Sequence, residues 1–582
     1  MNSGKKTKVV FLGESVAAGF MYAPHYTPSI FLESLLKANG MICNVEDETK
    51  VSIEMPELIK KCVSAANNCP DYAIVFAGNN WRKGLWKLSE GESDRIYQAI
   101  QSGVKWYKAV GNVIQEKAAA QIDSFFFELK SLFSDKVLFV IPEFNLKDWR
   151  YNSYDTELNC PFGLSKQWRT LITDDVSEEN AKKMISLDPV NPLGYEIIAR
   201  IACKNGDNIT ASDMYNKALD TNLYRLGPPP AVNSIIKNSI RKAAQIHGIA
   251  VCDLPKVFAE YLEGGIPGND LFIDYCHLTD TGIRVACTEI AKWIFKQQCC
   301  NLTVSSDLRP EQEISSHAHF YAAIHSAHIG NLDKDYLLYH CRKALNIQQE
   351  IAEKMIKYCK CASQKTPWRL NKLFTEINTA QYPTIRQPDD CMVMDIELVD
   401  VMMFALKEIG IDIHHEINDI RITNHAGKAP FIINLLETYY KESSYFNTFL
   451  GSKSVDYGDG KKMYSSFRTN CSNFYLIQSG VSDLTCDIII KTPPYSFAEI
   501  SISINEKHFY SVKAETTNWF KIEENIPAEL LKRGVNKISI KWSNIAKPEE
   551  NTFVTERLLF DYIRPIYGHI MQFIVKERKD VL

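Results

Sequence analysis

The chain of 582 residues contains no apolar run near the roughly 20 residues that a membrane-spanning helix needs. It also lacks an excess of either charge. A formal net charge of -4 gives neither the basic footprint of a nucleic-acid binder nor attraction to an acidic membrane surface. Basic pairs such as Lys5-Lys6 and Lys60-Lys61 are short and read as solvated surface. No C-x-x-C pair occurs. The 16 cysteines are scattered, and Cys203, Cys252 and Cys287 sit in apolar segments, where a thiol packs as a small hydrophobe. That arrangement is not a disulfide scaffold and leads to the expectation of a reduced, cytoplasmic chain. Near the N-terminus, VVFLG follows lysines, but the stretch is short, Glu14 interrupts it and no small-residue cleavage site follows, so it is not read as a signal peptide. The run GESVAAG matches neither phosphate-loop pattern, and no G-x-S-x-G elbow surrounds Ser15.

What remains is ordinary globular composition, 45% hydrophobic and 23% charged, on a chain too long for one core. Residues 8–12 form an apolar, β-rich run that ends at Gly13. PSIFLESLLKANG (28–40) and PELIKKCVSAA (56–66) carry helical spacing, DYAIVFAGNNW (71–81) and KVLFVIPEF (136–144) read as buried strands, and a helix is expected around 114–133. Alternation of helices with almost wholly apolar strands predicts an α/β fold with a parallel sheet covered on both faces. The alternation stops after residue 150. Residues 178–220 read as paired helices, with Ala211, Tyr215 and Ala218 in the small-large-small spacing of a tetratricopeptide-like hairpin. The sheet resumes with the strand IAVCDLP (249–255). Residues 305–440 look mostly helical, and from about 445 the alternation of FAEISISINEKHFYSV and GVNKISIKWS predicts an antiparallel, jelly-roll-like β-sandwich. The expected organisation is a sheet domain over 1–300 with a helical insertion at about 165–225, a helical region over 301–440 and a sandwich over 441–582.

Chemistry concentrates in two segments. KVVFLGESVAAGF places Ser15 just past the first strand, and LFIDYCHLTDTG places Asp274 three residues before His277. A serine hydroxyl is a poor nucleophile without a base in hydrogen-bond reach, and a neutral histidine suits that role. A carboxylate three residues earlier in the same loop is placed to bond the second ring nitrogen and hold the tautomer. An oxyanion then needs donors; the Ser15 N–H and the Asn80 amide, at the end of a neighbouring strand, are the candidates. Ligands of such sheets bind at the carboxyl ends of strands, which is where Ser15, Asn80 and Glu143 fall.

With these residues in order, the chain resembles the SGNH (GDSL-type) hydrolases, a flavodoxin-like α/β family of esterases, lipases and acyltransferases. The resemblance rests on Gly13-Glu14-Ser15-Val16-Ala17-Ala18-Gly19, on Gly78-Asn79-Asn80-Trp81 and, most specifically, on Asp274-Tyr275-Cys276-His277-Leu278-Thr279. It covers residues 8 to about 295, and YRLGPPPAVNSIIKNSIRKAA is similar to a segment of the subgroup carrying tetratricopeptide-like helices. It implies Ser15 as nucleophile, His277 as base, Asp274 as its orienter, and no metal or organic cofactor. Three positions depart from the family pattern. Glu14 stands for aspartate, Trp81 follows the oxyanion asparagine in place of aspartate, and no glycine marks the second block in NVEDETKVSIEMPEL. Ser52 is the residue assigned to that position, because any residue but proline supplies a backbone N–H.

Each candidate has a plainer alternative. Ser15 fits a helix N-cap, Asn80 a turn, Asp274 a loop cap and His277 a structural histidine. Glu143 is a candidate to line the pocket or is a solvated loop carboxylate; Arg225 is a candidate for an acidic substrate group or a surface ion-pair partner. His325 and His328, three apart on one helix face, read as core or interface histidines rather than metal ligands. The expected function is a serine-dependent acyl-ester hydrolase or acyltransferase acting on an acylated small molecule or carbohydrate. The alternative is a carbohydrate- or partner-binding protein with a degenerate hydrolase domain. A protein partner on the helical region fits either reading.

Overall fold

A computed structural model describes residues 6–149, 170–171, 177–224, 230–329, 331, 333–379, 394–427, 431–440, 449–453, 462–467, 471–492, 499–513, 518–542 and 566–577. The chain forms two compact units, the first chiefly from Met1–Trp149 with Asp175–Ala318 and the second chiefly from His319–Phe553 with Leu558–Leu582.

The first unit is built on five parallel strands: β1 (Thr7–Gly13), β2 (Cys43–Asp47), β3 (Tyr72–Phe76), β4 (Val137–Ile141) and β5 (Ala250–Asp253). Their order is β2-β1-β3-β4-β5, with every pairing parallel, so the α/β expectation holds. This 2-1-3-4-5 order places a topological switch at β1 and β3, where the chain leaves neighbouring strands in opposite directions and a crevice opens beyond their carboxyl ends. β4 is buried along its whole length, the signature of a central strand covered on both faces. Burying a side chain such as Phe139 or Val140 completely contributes about 1.5–3 kcal/mol.

The covering helices follow from local signals. α1 (Pro28–Ala38) starts with Thr27 accepting from the Ile30 N–H and Pro28 in the first turn, and it buries Phe31, Leu32, Leu35 and Leu36. α2 (Met55–Asn67) follows β2, and α3 (Arg82–Leu85), α4 (Glu90–Gln101) and the long α5 (Trp106–Phe133) follow β3. α5 begins eight residues before the expected 114; Ala109, Val110 and Val113 continue its buried stripe. Next come α6 (Glu178–Leu187), α7 (Pro192–Lys204) and α8 (Asn208–Asp220), with Ala211, Tyr215 and Ala218 buried along one face of α8. α9 (Ser234–His247) leads into β5, then α10 (Leu254–Tyr261) and α11 (Asp280–Gln297). The strand expected through Pro255 stops at Asp253, because that proline sits in the first turn of α10, where its missing N–H costs nothing.

The second unit pairs helices with strands. The helices Lys334–Ile347, Ile351–Ala362 and Ile396–Glu408 share a core that includes Leu337, Met355, Tyr358 and Met402. Within this unit His328 Nε2 lies 2.8 Å from Asp395 Oδ2, and the Tyr358 hydroxyl donates to the same oxygen at 2.5 Å. His328 is therefore a buried, paired histidine. Among the described residues the strands form two antiparallel sheets, one of six strands and one of four. Strands Leu484–Lys491 and Gly534–Lys541 alternate buried and half-buried residues, and Ile488, Ile490, Ile502, Ile538 and Phe573 from both sheets meet in one core. No helix among the described residues is long and apolar enough to cross a membrane.

Candidate active site

At the carboxyl end of β1 the chain turns at Gly13. A Cβ there would lie 2.1 Å from the Phe76 carbonyl oxygen of β3, so only glycine lets the strands approach this closely. Glu14 follows, fully buried, and its N–H donates to that same carbonyl. Its carboxyl group accepts from the N–H of Asn79 at 2.9 Å and of Asn80 at 3.3 Å, fastening the end of β3 to the residue before Ser15. Burial pushes the Glu14 carboxyl up to about 8 against those lowering hydrogen bonds.

Ser15 is partly accessible, and its Oγ lies 2.8 Å from His277 Nε2. On the other side of the ring, His277 Nδ1 lies 2.6 Å from Asp274 Oδ2. With Nδ1 keeping its proton and donating it to Asp274, Nε2 faces Ser15 as an acceptor. The second carboxylate oxygen of Asp274 accepts from the N–H of Cys276 at 2.8 Å and of His277 at 2.7 Å. The loop closes on itself: the Ile273 N–H donates to the His277 carbonyl and the Thr279 N–H to the Leu271 carbonyl. Thr279 then caps α11 by accepting from the Gly282 N–H, which gives the threonine of this segment a structural purpose. Phe20 and Tyr275 flank the imidazole, with ring centroids 4.7 and 5.6 Å away. Cys276, one residue from His277, is no competing nucleophile, because burial and the nearby Asp274 hold its thiol well above the ordinary range. Asp274 Oδ2 and His277 Nδ1 face each other and His277 Nε2 faces Ser15, so a metal ion held by these atoms would have to displace those bonds.

The remaining sequence candidates fall in different places. Asn80 is 7% exposed, and its Nδ2 donates to the Ile53 carbonyl at 3.2 Å; an amide carries two N–H bonds, so one is left for another acceptor. Ser52, one residue before Ile53, is exposed and adopts φ +62°, the left-handed region that favours glycine. Its loop is anchored on both sides, by the Lys50 N–H to the Gly13 carbonyl and by Ile53 to Asn80. Glu143 stands at the end of β4 but is 5% exposed, and its carboxylate binds Lys237 Nζ at 2.5 Å and the Phe144 N–H at 2.8 Å. Glu143 is therefore not a solvated loop carboxylate but half of a buried ion pair, whose partner 94 positions away was not visible in the local sequence; breaking such a pair costs about 3–5 kcal/mol. Arg225 lies outside the described residues. Trp81, where the family pattern has aspartate, is buried against Phe125 and Phe139 at 5.2 and 5.8 Å and packs as an apolar residue.

A cleft of about 560 Å³ opens beside Asn80. Trp81, Phe125, Met55 and Ile59 contribute its apolar wall, and Lys87 and Gln121 are among its polar lining.

No family model matches the chain, and neither does any curated protein. Solved structures it matches include a two-domain esterase (CEX) active on acetylated mannans and co-crystallised with mannopentaose, at 8% identity and TM-score 0.24, covering 99% of this chain and 92% of that one. An extracellular lipase from Streptomyces rimosus matches at 14% identity and TM-score 0.22, covering 45% of this chain and 85% of its own. The C-terminal CBM6 of LamC from Zobellia galactanivorans matches at 8% identity and TM-score 0.17, over 25% of this chain and 98% of its own.

Proposed function

We propose that the chain is a serine-dependent acyl-ester hydrolase or acyltransferase of the SGNH kind. The observation that carries this reading is the unbroken line from Ser15 Oγ through the His277 ring to Asp274, at 2.8 and 2.6 Å, beyond the carboxyl ends of a parallel sheet. Ser15 Oγ attacks the ester carbonyl carbon while His277 Nε2 takes its proton. The tetrahedral oxyanion is met by the Ser15 N–H, the Asn80 amide and the Ser52 N–H. As the C–O bond to the alcohol breaks, His277 returns the proton to the leaving oxygen, and the acyl group stays on Ser15. Water or a second alcohol, deprotonated by His277, attacks the acyl-enzyme and regenerates the serine. The mixed polar and apolar lining of the cleft beside Asn80 suits an acylated small molecule or carbohydrate.

A fluorophosphonate probe tests this directly. The wild type is expected to be labelled at Ser15 and to hydrolyse short-chain esters, and Ser15→Ala is expected to do neither. A wild-type protein that stays unlabelled and cleaves no ester removes the reading. The left-handed, non-glycine Ser52 favours the second reading, a carbohydrate-binding protein with a degenerate hydrolase domain. Glycan binding that persists in a Ser15→Ala, His277→Ala double variant of a protein without esterase activity supports that alternative.

A further inference from the structure

The loop that follows β4 holds a fully buried asparagine, Asn145, whose polar groups are directed at the segment carrying Asp274 and His277. Its side-chain Nδ2 donates to the Asp274 carbonyl at 3.1 Å and to Asn269 Oδ1 at 2.9 Å. Its backbone N–H donates to the Tyr275 carbonyl at 2.9 Å. Its Oδ1 accepts from the N–H of Asp148 at 3.1 Å and of Trp149 at 3.3 Å. Two donor contacts on one side of the amide and two acceptor contacts on the other fix its orientation, since a flipped amide would lose all four. The loops are stitched at two further points, by the Asn269 N–H to Asp148 Oδ2 and the Lys147 N–H to the Pro267 carbonyl.

We infer that Asn145 is a positioning residue for the Asp274–His277 pair. The pair's geometry within its own loop is closed by the carboxylate of Asp274, but that loop has to be held against the end of the sheet for Nε2 to meet Ser15. Asn145 does so by holding two consecutive carbonyls, those of Asp274 and Tyr275. Both residues are buried, so water cannot easily replace those donors. Tyr275, fixed in this way, packs between Trp149 and the His277 ring, with centroids 5.2 and 5.6 Å away, so the same contacts set the imidazole plane. Only β4, which lies between β3 and β5, brings this asparagine to the loop 129 positions further on.

The inference rests on the catalytic reading above, and its test separates the two. Asn145→Ala removes both sides of the amide. Asn145→Asp keeps an acceptor for Asp148 and Trp149 but turns an oxygen toward the Asp274 carbonyl, and it supplies the same readouts where Asn145→Ala fails to fold. In a folded variant the rate of fluorophosphonate labelling of Ser15 is expected to fall ~100-fold, the cost of displacing a reacting group by about 1 Å. For a short ester, kcat is expected to fall while KM stays within ~2-fold, because no substrate contact is lost. The short His277–Asp274 hydrogen bond is expected to give a far-downfield proton resonance in the wild type, and that resonance is expected to broaden or vanish in the variants. Folded variants that keep the wild-type labelling rate and the resonance overturn the inference. A wild-type protein that is never labelled, but whose downfield resonance is lost on Asn145→Asp, overturns the catalytic reading and leaves the positioning role standing.

Discussion

The two sides of the site that the proposed mechanism makes the base side and the oxyanion side are built differently. On the base side almost every polar group already has a partner. Asp274 uses one oxygen on two backbone N–H groups and the other on His277, its carbonyl is taken by Asn145, and the loop is closed by its own ladder and a helix cap. On the oxyanion side, neither the Ser15 N–H nor the Ser52 N–H has an acceptor among the described residues, and Asn80 spends one amide hydrogen of two. In the proposed mechanism the difference follows from what each side would do. A base must be oriented before substrate arrives, so its partners belong to the protein. Donors to a transient negative charge must be left for the substrate, so their supporting loops are held from behind, by Glu14 on Asn80 and by Lys50 on Gly13.

The contrast is sharpest in a pair of substitutions on the two sides. Asp274→Asn leaves the loop nearly isosteric but supports the wrong tautomer, and kcat is expected to fall ~10⁴-fold. Asn80→Ala removes one donor of several, with an expected loss of ~10²–10³-fold. Steady-state kinetics on one short ester decides it; equal losses would erase the distinction between the two sides.

Glu14 links stability to pH beneath the oxyanion side. Its carboxyl is raised from 4.5 to about 8 in the folded protein. The stability of its protonated form is therefore fully present below pH 4.5 and lost as pH rises through 8. Glu14→Gln mimics that neutral form. Denaturant titrations are expected to show equal stability of variant and wild type at pH 4 and a widening advantage for the variant up to pH 8, by up to ~1.4 kcal/mol per pH unit. Parallel stability profiles across that range would mean that Glu14 ionises freely in the fold.

The smallest effect belongs to Ser52. Ser52→Gly relieves a left-handed φ of +62° at the cost of a more flexible unfolded chain, so stability is expected to change by less than ~1 kcal/mol. Ester turnover is expected to stay close to wild type, since the backbone N–H is retained. A large loss of turnover would assign the serine side chain a task that its backbone does not explain.

Much of this arrangement was legible from local sequence. Apolar runs ending in Gly13 and Gly78 marked two strand ends, and the D-x-x-H spacing pointed to the contact between His277 Nδ1 and Asp274, because three residues is the reach of one loop. The parts that stayed hidden depend on partners supplied by the sheet. Lys237 neutralises Glu143 from 94 positions away, and Asn145 reads as an ordinary loop asparagine until β4 sets it beside Asp274. Ser52 was assigned from the absence of a better residue; its backbone angle is a property of the fold that no local pattern encodes. The buried pairing of His328 with Asp395 was equally invisible, since a helix-face spacing shows nothing of a carboxylate 67 positions on.

Ser15 and His277 are 262 positions apart, which has a consequence for how the site comes into being. At ~5–20 residues per second Ser15 leaves the ribosome roughly 10–50 seconds before His277. β1, β2 and β3 are complete long before β5 exists, so on the proposed mechanism the nascent chain carries its serine before that serine can react. Contacts of such long sequence separation form late in folding. Appearance of probe-reactive serine is therefore a clock for closure of the last strand, and a reading of whether the whole first unit has assembled.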